Sequence, residues 1–126
     1  MTELIAIISA IITLMGLPAI PIDQSPVYRI KEVIYAQVTA YNTVEGQTDT
    51  TPCINASGNF ICGRNDAVAC PTWIPFYDRV YIRNRILQCL DRTAEKYNGR
   101  FDISFDKDIQ GARDWGVKWE QVALLY

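Results

Sequence analysis

Apolar and polar positions alternate along much of the chain beyond residue 33, and that alternation predicts strands. Over Ile34–Tyr41, Ile34, Ala36, Val38 and Ala40 share one face, while Tyr35, Gln37, Thr39 and Tyr41 share the other. Such a period of two marks a half-buried strand. Arg79–Arg83 buries Val80 and Ile82 in the same way. Arg100–Phe105 turns Phe101, Ile103 and Phe105 inward and Asp102 and Ser104 outward. Ala67–Cys70 and Ile86–Leu90 are shorter candidates, and Val117–Leu125 is the last strand. Between these, Asn42–Asn65 is rich in Thr, Asn, Gly and Pro and reads as a long loop with one apolar touch at Phe60-Ile61. Pro71 and Pro75 bracket a turn, and Thr93–Gly99 is a connector closing on Asn-Gly, a turn signal. Lys107–Trp115 is the one helical stretch. The charged run Asp106-Lys107-Asp108 caps its start and Gly116 stops it. Many short strands with one small helix predict a mainly β, closed small barrel spanning residues 34–126.

The pattern changes at the N-terminus, where residues 4–22 run 19 positions without a charged side chain. Pro18 and Pro21 limit the helical part to Leu4–Leu17. A membrane-spanning helix needs about 20 apolar residues, and a secretory core about 7–15. Residues 1–23 therefore read as a signal peptide or a short signal anchor, and residues 24–33 as a linker or extended lead-in. The flanks are atypical: Glu3 is the only charge ahead of the stretch, and no clean A-x-A site follows it. An apolar helix packed on the domain is the alternative. Export would place the barrel in the periplasm, in the cell envelope or outside the cell, anchored through residues 4–22 if they are retained.

At 126 residues the chain has room for one domain. An apolar share of 49% against 21% charged residues excludes a disordered polymer, and the scattered Gly and Pro exclude a collagen-like repeat. No His is present, which removes His-based acid/base chemistry, Ser-His-Asp and Cys-His nucleophiles, and His-ligated metals. Acid/base work falls to Asp, Glu, Cys, Tyr or Lys. Beyond residue 23 the 12 basic and 12 acidic side chains balance, so neither nucleic acid nor another polyanion is an expected partner. Cysteines stand at 53, 62, 70 and 89. An even number behind an export-like segment reads as two disulfides. Of the three pairings, Cys53–Cys62 within the loop and Cys70–Cys89 across two strands is favoured. A zinc site of four thiolates is the rival, although such sites usually carry C-x2-C pairs. No cofactor or metal is otherwise expected.

An ordered set of motifs resembles the 3D domain, named for three aspartates. It runs Val38-Thr39-Ala40-Tyr41, Ala56-Ser57-Gly58, Ala67-Val68-Ala69-x-Pro71, Trp73-Ile74-Pro75 and Arg79-Val80-Tyr81-Ile82. It continues with Asp91, Gly99-Arg100-Phe101-Asp102-Ile103, and Ala112-x-x-Trp115-Gly116 before a closing strand. The resemblance covers about residues 34–125. It implies a six-stranded double-psi β-barrel similar to the catalytic barrel of membrane-bound lytic transglycosylase A, and related in fold to rare lipoprotein A and the expansins. It further implies cleavage of the β-1,4 bond between N-acetylmuramic acid and N-acetylglucosamine of peptidoglycan, leaving a 1,6-anhydro product. The chain departs from the pattern at three points. Cys70 stands at the family's first aspartate, Arg92-Thr93-Ala94 lacks the glycines that follow its second, and Pro75-Phe76-Tyr77-Asp78 replaces its P-L-G-T turn.

Such a reaction requires one carboxyl group. It protonates the glycosidic oxygen, then takes a proton from the sugar's own 6-hydroxyl as that oxygen attacks, so the two-carboxylate geometry of a hydrolase is not needed. A raised pKa, from apolar surroundings or a like-charged neighbour, suits an Asp to this task. The resemblance implies Asp102 as the acid/base and Asp91 as its support; on spacing alone both are equally well solvated residues on polar strand faces. Tyr41, Trp73 and Tyr77 offer faces for sugar rings, or else pack the core and rim. Ser57 matches the family's polar loop and would hydrogen-bond the glycan, or simply shape a turn. Arg100 and Arg92 flank the carboxylates; Trp115 and Trp119 are expected in the core. Tyr41, Ser57, Trp73 and Arg100 thus form the expected substrate-binding set. The alternative function is a non-catalytic, expansin-like barrel that binds cell-wall glycan through its aromatics. A disulfide-stabilised interaction module is a third reading.

Overall fold

The computed structural model describes residues 27–45 and 51–126. The apolar helix expected within residues 1–23 lies outside the described residues. The elements are β1 (Ile30–Tyr41), β2 (Ala67–Cys70), β3 (Arg79–Ile82), β4 (Arg85–Arg92), β5 (Phe101–Ser104), α1 (Ile109–Trp115) and β6 (Lys118–Leu125). A 3-10 turn sits at Glu95–Tyr97. The six strands close into a barrel in the order β1-β5-β2-β4-β3-β6. Two pairs are parallel, β1 with β5 and β2 with β4; the other four are antiparallel. This mixed order is compatible with a double-psi arrangement.

The alternation read from sequence decides which side chains fill the barrel. Val38, Val68, Val80, Ile82, Leu87, Phe101, Ile103 and Val122 are all buried in one core cluster, with Ile34, Phe105 and Trp115 packed against it. The first strand is longer than its periodicity announces: it begins at Ile30, inside the stretch read as a lead-in. Lys31, Glu32 and Val33 are exposed, so no buried face marks them. Pairing of their backbone with β6, Glu32 to Leu124 and Val33 to Ala123, is what holds them. Arg83 and Asn84 join β3 to β4 with φ of 47° and 65°. Two left-handed residues suit a tight hairpin, and Asn84 Oδ1 accepts from the Tyr81 hydroxyl at 2.9 Å.

Asp108 caps α1 by accepting from the Gly111 N–H at 2.9 Å, and Gly116 ends it at a φ of 65°. Trp115 leans on the core, and its indole donates to Val38 O at 3.2 Å. Trp119, expected in the core, is instead 59% exposed, because it falls on the outward phase of β6. Both favoured disulfides are formed, Cys53–Cys62 and Cys70–Cys89, which leaves none of the four thiols for zinc. Paired cysteines are the state of an oxidising compartment.

Candidate active site

The strand register assembles a row of side chains on the outer face of the barrel. Thr39 on β1 pairs with Asp102 on β5, Asp102 pairs with Ala69 on β2, and Ala69 pairs with Asp91 on β4. Directly paired residues point to the same side of a sheet. The step to Asp91 depends on a bulge: Val68 pairs with Cys89 but Ala69 with Asp91, so Leu90 is an extra residue on β4. Bulges re-aim side chains, and here the bulge brings Asp91 onto the face of Ala69 and Asp102. Two strand spacings of roughly 4.8 Å separate the backbones that carry the two carboxylates. Methyl-sized Ala69 leaves the floor between them low.

The long loop covers one end of this row. Ile61 is buried with Tyr41, Ala67, Ala69 and Leu90 in a second apolar cluster. That contact fixes the loop against the barrel, and Cys53–Cys62 closes it. The result is a cleft of about 450 Å³ walled by Tyr41, Asn55, Asp91, Tyr97, Arg100 and Asp102, with Ala69 among its lining.

The two carboxylates have different surroundings. Asp91 is held by three donors. The Ala56 and Arg92 N–H groups reach Oδ1 at 3.0 and 2.9 Å, and the Tyr41 hydroxyl reaches Oδ2 at 3.3 Å. Asp102 accepts one side-chain hydrogen bond, from Thr39 Oγ1 at 2.9 Å. Burial pushes the Asp102 carboxyl up to about 6; the Thr39 hydroxyl and the Arg100 charge pull it back, and the Asp91 charge adds a smaller push. Burial, not the like-charged neighbour, is therefore the main cause. Burial also drives the Tyr41 phenol well above its ordinary value, with the charges of Asp91 and Asp102 adding to it, so that it stays a neutral donor.

Of the expected binding residues, Tyr41 and Arg100 line the cleft. The ring of Tyr41 is only 8% exposed, so it offers its hydroxyl and not a stacking face. Arg100 is clamped on Gln37 Oε1 through Nε and Nη2 at 3.0 and 2.7 Å. Arg92 also lines the cleft, with its guanidinium held on the carbonyls of Pro71 and Ile74, at 3.0 and 2.6 Å, and over Phe76. Ser57 is engaged within its own loop, donating to Asn55 Oδ1 at 2.6 Å. Trp73, 53% exposed, lines a separate hollow beside Lys31 and Leu125.

Sequence reasoning did not single out Thr39, Asn55 or Tyr97 as site residues. Asn55 Oδ1 accepts from Ser57 N, Ser57 Oγ and Asn59 N, which fixes the amide. Its Nδ2 and the Thr93 Oγ1 are the buried side-chain polar atoms left without a partner among the described residues, and both residues line the cleft. A polar residue two positions before Ser57 was the available signal for Asn55; the pairing of Thr39 with Asp102 was not readable without the register. The chain matches no protein-family model, and no curated protein matches it significantly.

Proposed function

We propose that this chain is a 3D-type double-psi barrel acting as a peptidoglycan lytic transglycosylase, with Asp102 as its single acid/base. The observation that carries this reading is a half-buried carboxyl, pushed up to about 6, in the wall of an open cleft. Near neutral pH such a group exists in both forms, and a pKa close to the working pH suits a group that must give and then take a proton. Asp102 would donate its proton to the glycosidic oxygen as the bond from the muramic acid C1 breaks. The resulting carboxylate would then accept the proton of that sugar's 6-hydroxyl as the oxygen closes on C1. The sugar supplies the nucleophile and the carboxyl returns to its starting form.

Asp91 acts in this scheme as a positioning residue. Its hydrogen bonds tie the loop at Ala56 and the Tyr41 hydroxyl to the cleft wall. Burial around Asp102 and the unpartnered Asn55 and Thr93 groups support a site that takes a ligand rich in hydroxyls and amides. Action on peptidoglycan requires export, for which residues 4–22 and the two disulfides speak.

The test is incubation with purified peptidoglycan and mass spectrometry of the soluble products. 1,6-Anhydromuropeptides are expected from the native chain. Asp102→Asn should reduce them by about 10²–10⁴-fold, the usual scale of general acid/base catalysis. Binding without anhydro product would assign the chain to the non-catalytic glycan-binding reading. Undiminished turnover by folded Asp102→Asn would place the acid elsewhere.

A further inference from the structure

Beyond Arg100 the outward face of β1 and β6 carries a second hollow of about 260 Å³, with Tyr35, Gln37, Lys96 and Trp119 in its lining. Tyr97 and Arg100 line both this hollow and the cleft, so the two lie side by side across that pair. The guanidinium of Arg100 lies 4.1 Å from the Tyr97 ring centre and is held by Gln37, which makes the junction rigid. On the far side Tyr35 and Trp119 stack, with ring centres 5.6 Å apart and planes 21° from parallel. They are 66% and 59% exposed, so the fold spends little of their apolar surface on its own core. The domain is balanced in charge overall, yet this hollow is lined by two cations, Lys96 and Arg100, and no acidic side chain.

We propose that the Tyr35–Trp119 shelf binds the glycan strand where it leaves the cleft. A pyranose ring would lie on the aromatic faces, and carboxylates borne by the strand's lactyl or peptide substituents would meet Lys96 and Arg100. This proposal rests on the peptidoglycan reading of the cleft and adds that the preferred substrate is a strand extending beyond the cleaved bond. Three features favour this occupant over others. Adjacency to the cleft, across Tyr97 and Arg100, suits a polymer long enough to reach over that pair. The pair of cations suits a polymer of scattered carboxylates. A stable second copy would need roughly 800 Å² per partner, whereas two aromatic side chains offer about 150–250 Å² each.

The test is co-sedimentation of the full chain with purified peptidoglycan sacculi, with anhydro product measured on the same samples. Trp119→Ala and Tyr35→Ala should each weaken sedimentation about tenfold, the upper scale for one aromatic contact. Trp119→Phe should restore most of it, and Lys96→Gln should weaken binding to native sacculi more than to sacculi whose carboxylates have been converted to neutral amides. Val117→Ser, an exposed apolar position outside the shelf, controls for surface hydrophobicity. If one aromatic variant misfolds, the other and Lys96→Gln carry the test. Shelf-dependent sedimentation with no anhydro product from the native chain would sink the catalytic reading and uphold the shelf. Anhydro product from the native chain, with sedimentation indifferent to Trp119 and Tyr35, would overturn the shelf and leave the cleft chemistry standing. The shelf is likewise overturned if the native chain does not sediment, or if Trp119→Ala reduces only binding to anionic phosphatidylglycerol vesicles or only self-association.

Discussion

Replacing Asp102 by Asn is expected to stabilise the protein at neutral pH. The carboxyl is pushed up to about 6 in the folded chain from an ordinary 3.8, chiefly by burial. About two pH units at 1.36 kcal/mol each make ionised Asp102 a liability of about 3 kcal/mol. The sign follows from proton binding. Between about pH 4 and pH 6 the folded state holds more protons than the unfolded state, so stability falls as pH rises through that window. Below it the group is neutral in both states and costs nothing; above it the full penalty applies. Asn has no charge to bury and keeps an oxygen for the Thr39 hydroxyl that now bonds Oδ1. Urea denaturation with disulfides intact, stepped from about pH 4 to about pH 8, would measure this. The variant should match the native chain at the acid end and exceed it by about 3 kcal/mol at pH 7, or roughly 10 °C or more in Tm. A difference that does not vary with pH, or a variant less stable at pH 7, would refute burial as the controlling influence on this carboxyl.

Thr39→Val removes the hydrogen bond that favours ionised Asp102, so its pKa should rise further and the alkaline edge of both stability and turnover should move up in pH; titration followed by carboxyl NMR checks it. Asp91→Asn should move the Asp102 titration slightly toward acid, since it deletes only the smaller push. Asp91→Ala leaves the Ala56 and Arg92 N–H groups and the Tyr41 hydroxyl without their acceptor, and should cost about 2 kcal/mol more than Asp91→Asn in a denaturant titration. Limited reduction followed by alkylation and mass spectrometry should open Cys53–Cys62 first, because those cysteines are partly exposed while Cys70 and Cys89 are fully buried. Loss of Cys70–Cys89, which spans 19 residues, should cost about 3 kcal/mol in the chain-entropy account.

What could be read in the sequence was what depends on one strand at a time. The alternation marked Val80, Ile82, Phe101 and Ile103 as buried because one face of each strand meets the core; Ser104, expected outward, is buried as well, at the end of β5 where it pairs with Tyr41. Residues 30–33 escaped notice because their place in β1 rests on backbone pairing, which leaves no mark on side-chain pattern. Trp119 misled for a related reason: a large aromatic suggests a core, but its phase on β6 turns it outward. The site was legible to the extent that Asp91, Asp102, Tyr41 and Arg100 do line one cleft. Their working relation was not. It depends on the extra residue Leu90, which shifts Asp91 into line with Ala69, and no local propensity announces such a bulge. Trp73 and Ser57 belong to two segments of the same ordered motif set, yet the fold sends one to another hollow and engages the other within its own loop.

The same register accounts for the departure at Cys70. Cys70 follows Ala69 on β2, so its side chain points into the barrel, where it is fully buried in the main cluster. An ionised carboxylate at that place would stand among Val68, Leu87 and Phe101, at a cost of several kcal/mol unless paired. The thiol instead bonds to Cys89, two positions before Asp91. The crosslink therefore joins the two strands beside the bulge, where Val68 pairs with Cys89 and Ala69 with Asp91. Strand register is otherwise set by hydrophobic patterning, and β2 has only four residues with which to define it. A covalent tie at this level limits sliding of β2 against β4. It thereby fixes the separation between Asp91 and Asp102, each of which pairs with Ala69. On this view Cys70 serves the site by holding its framework, and the acid/base role in the proposed reaction rests on Asp102 alone.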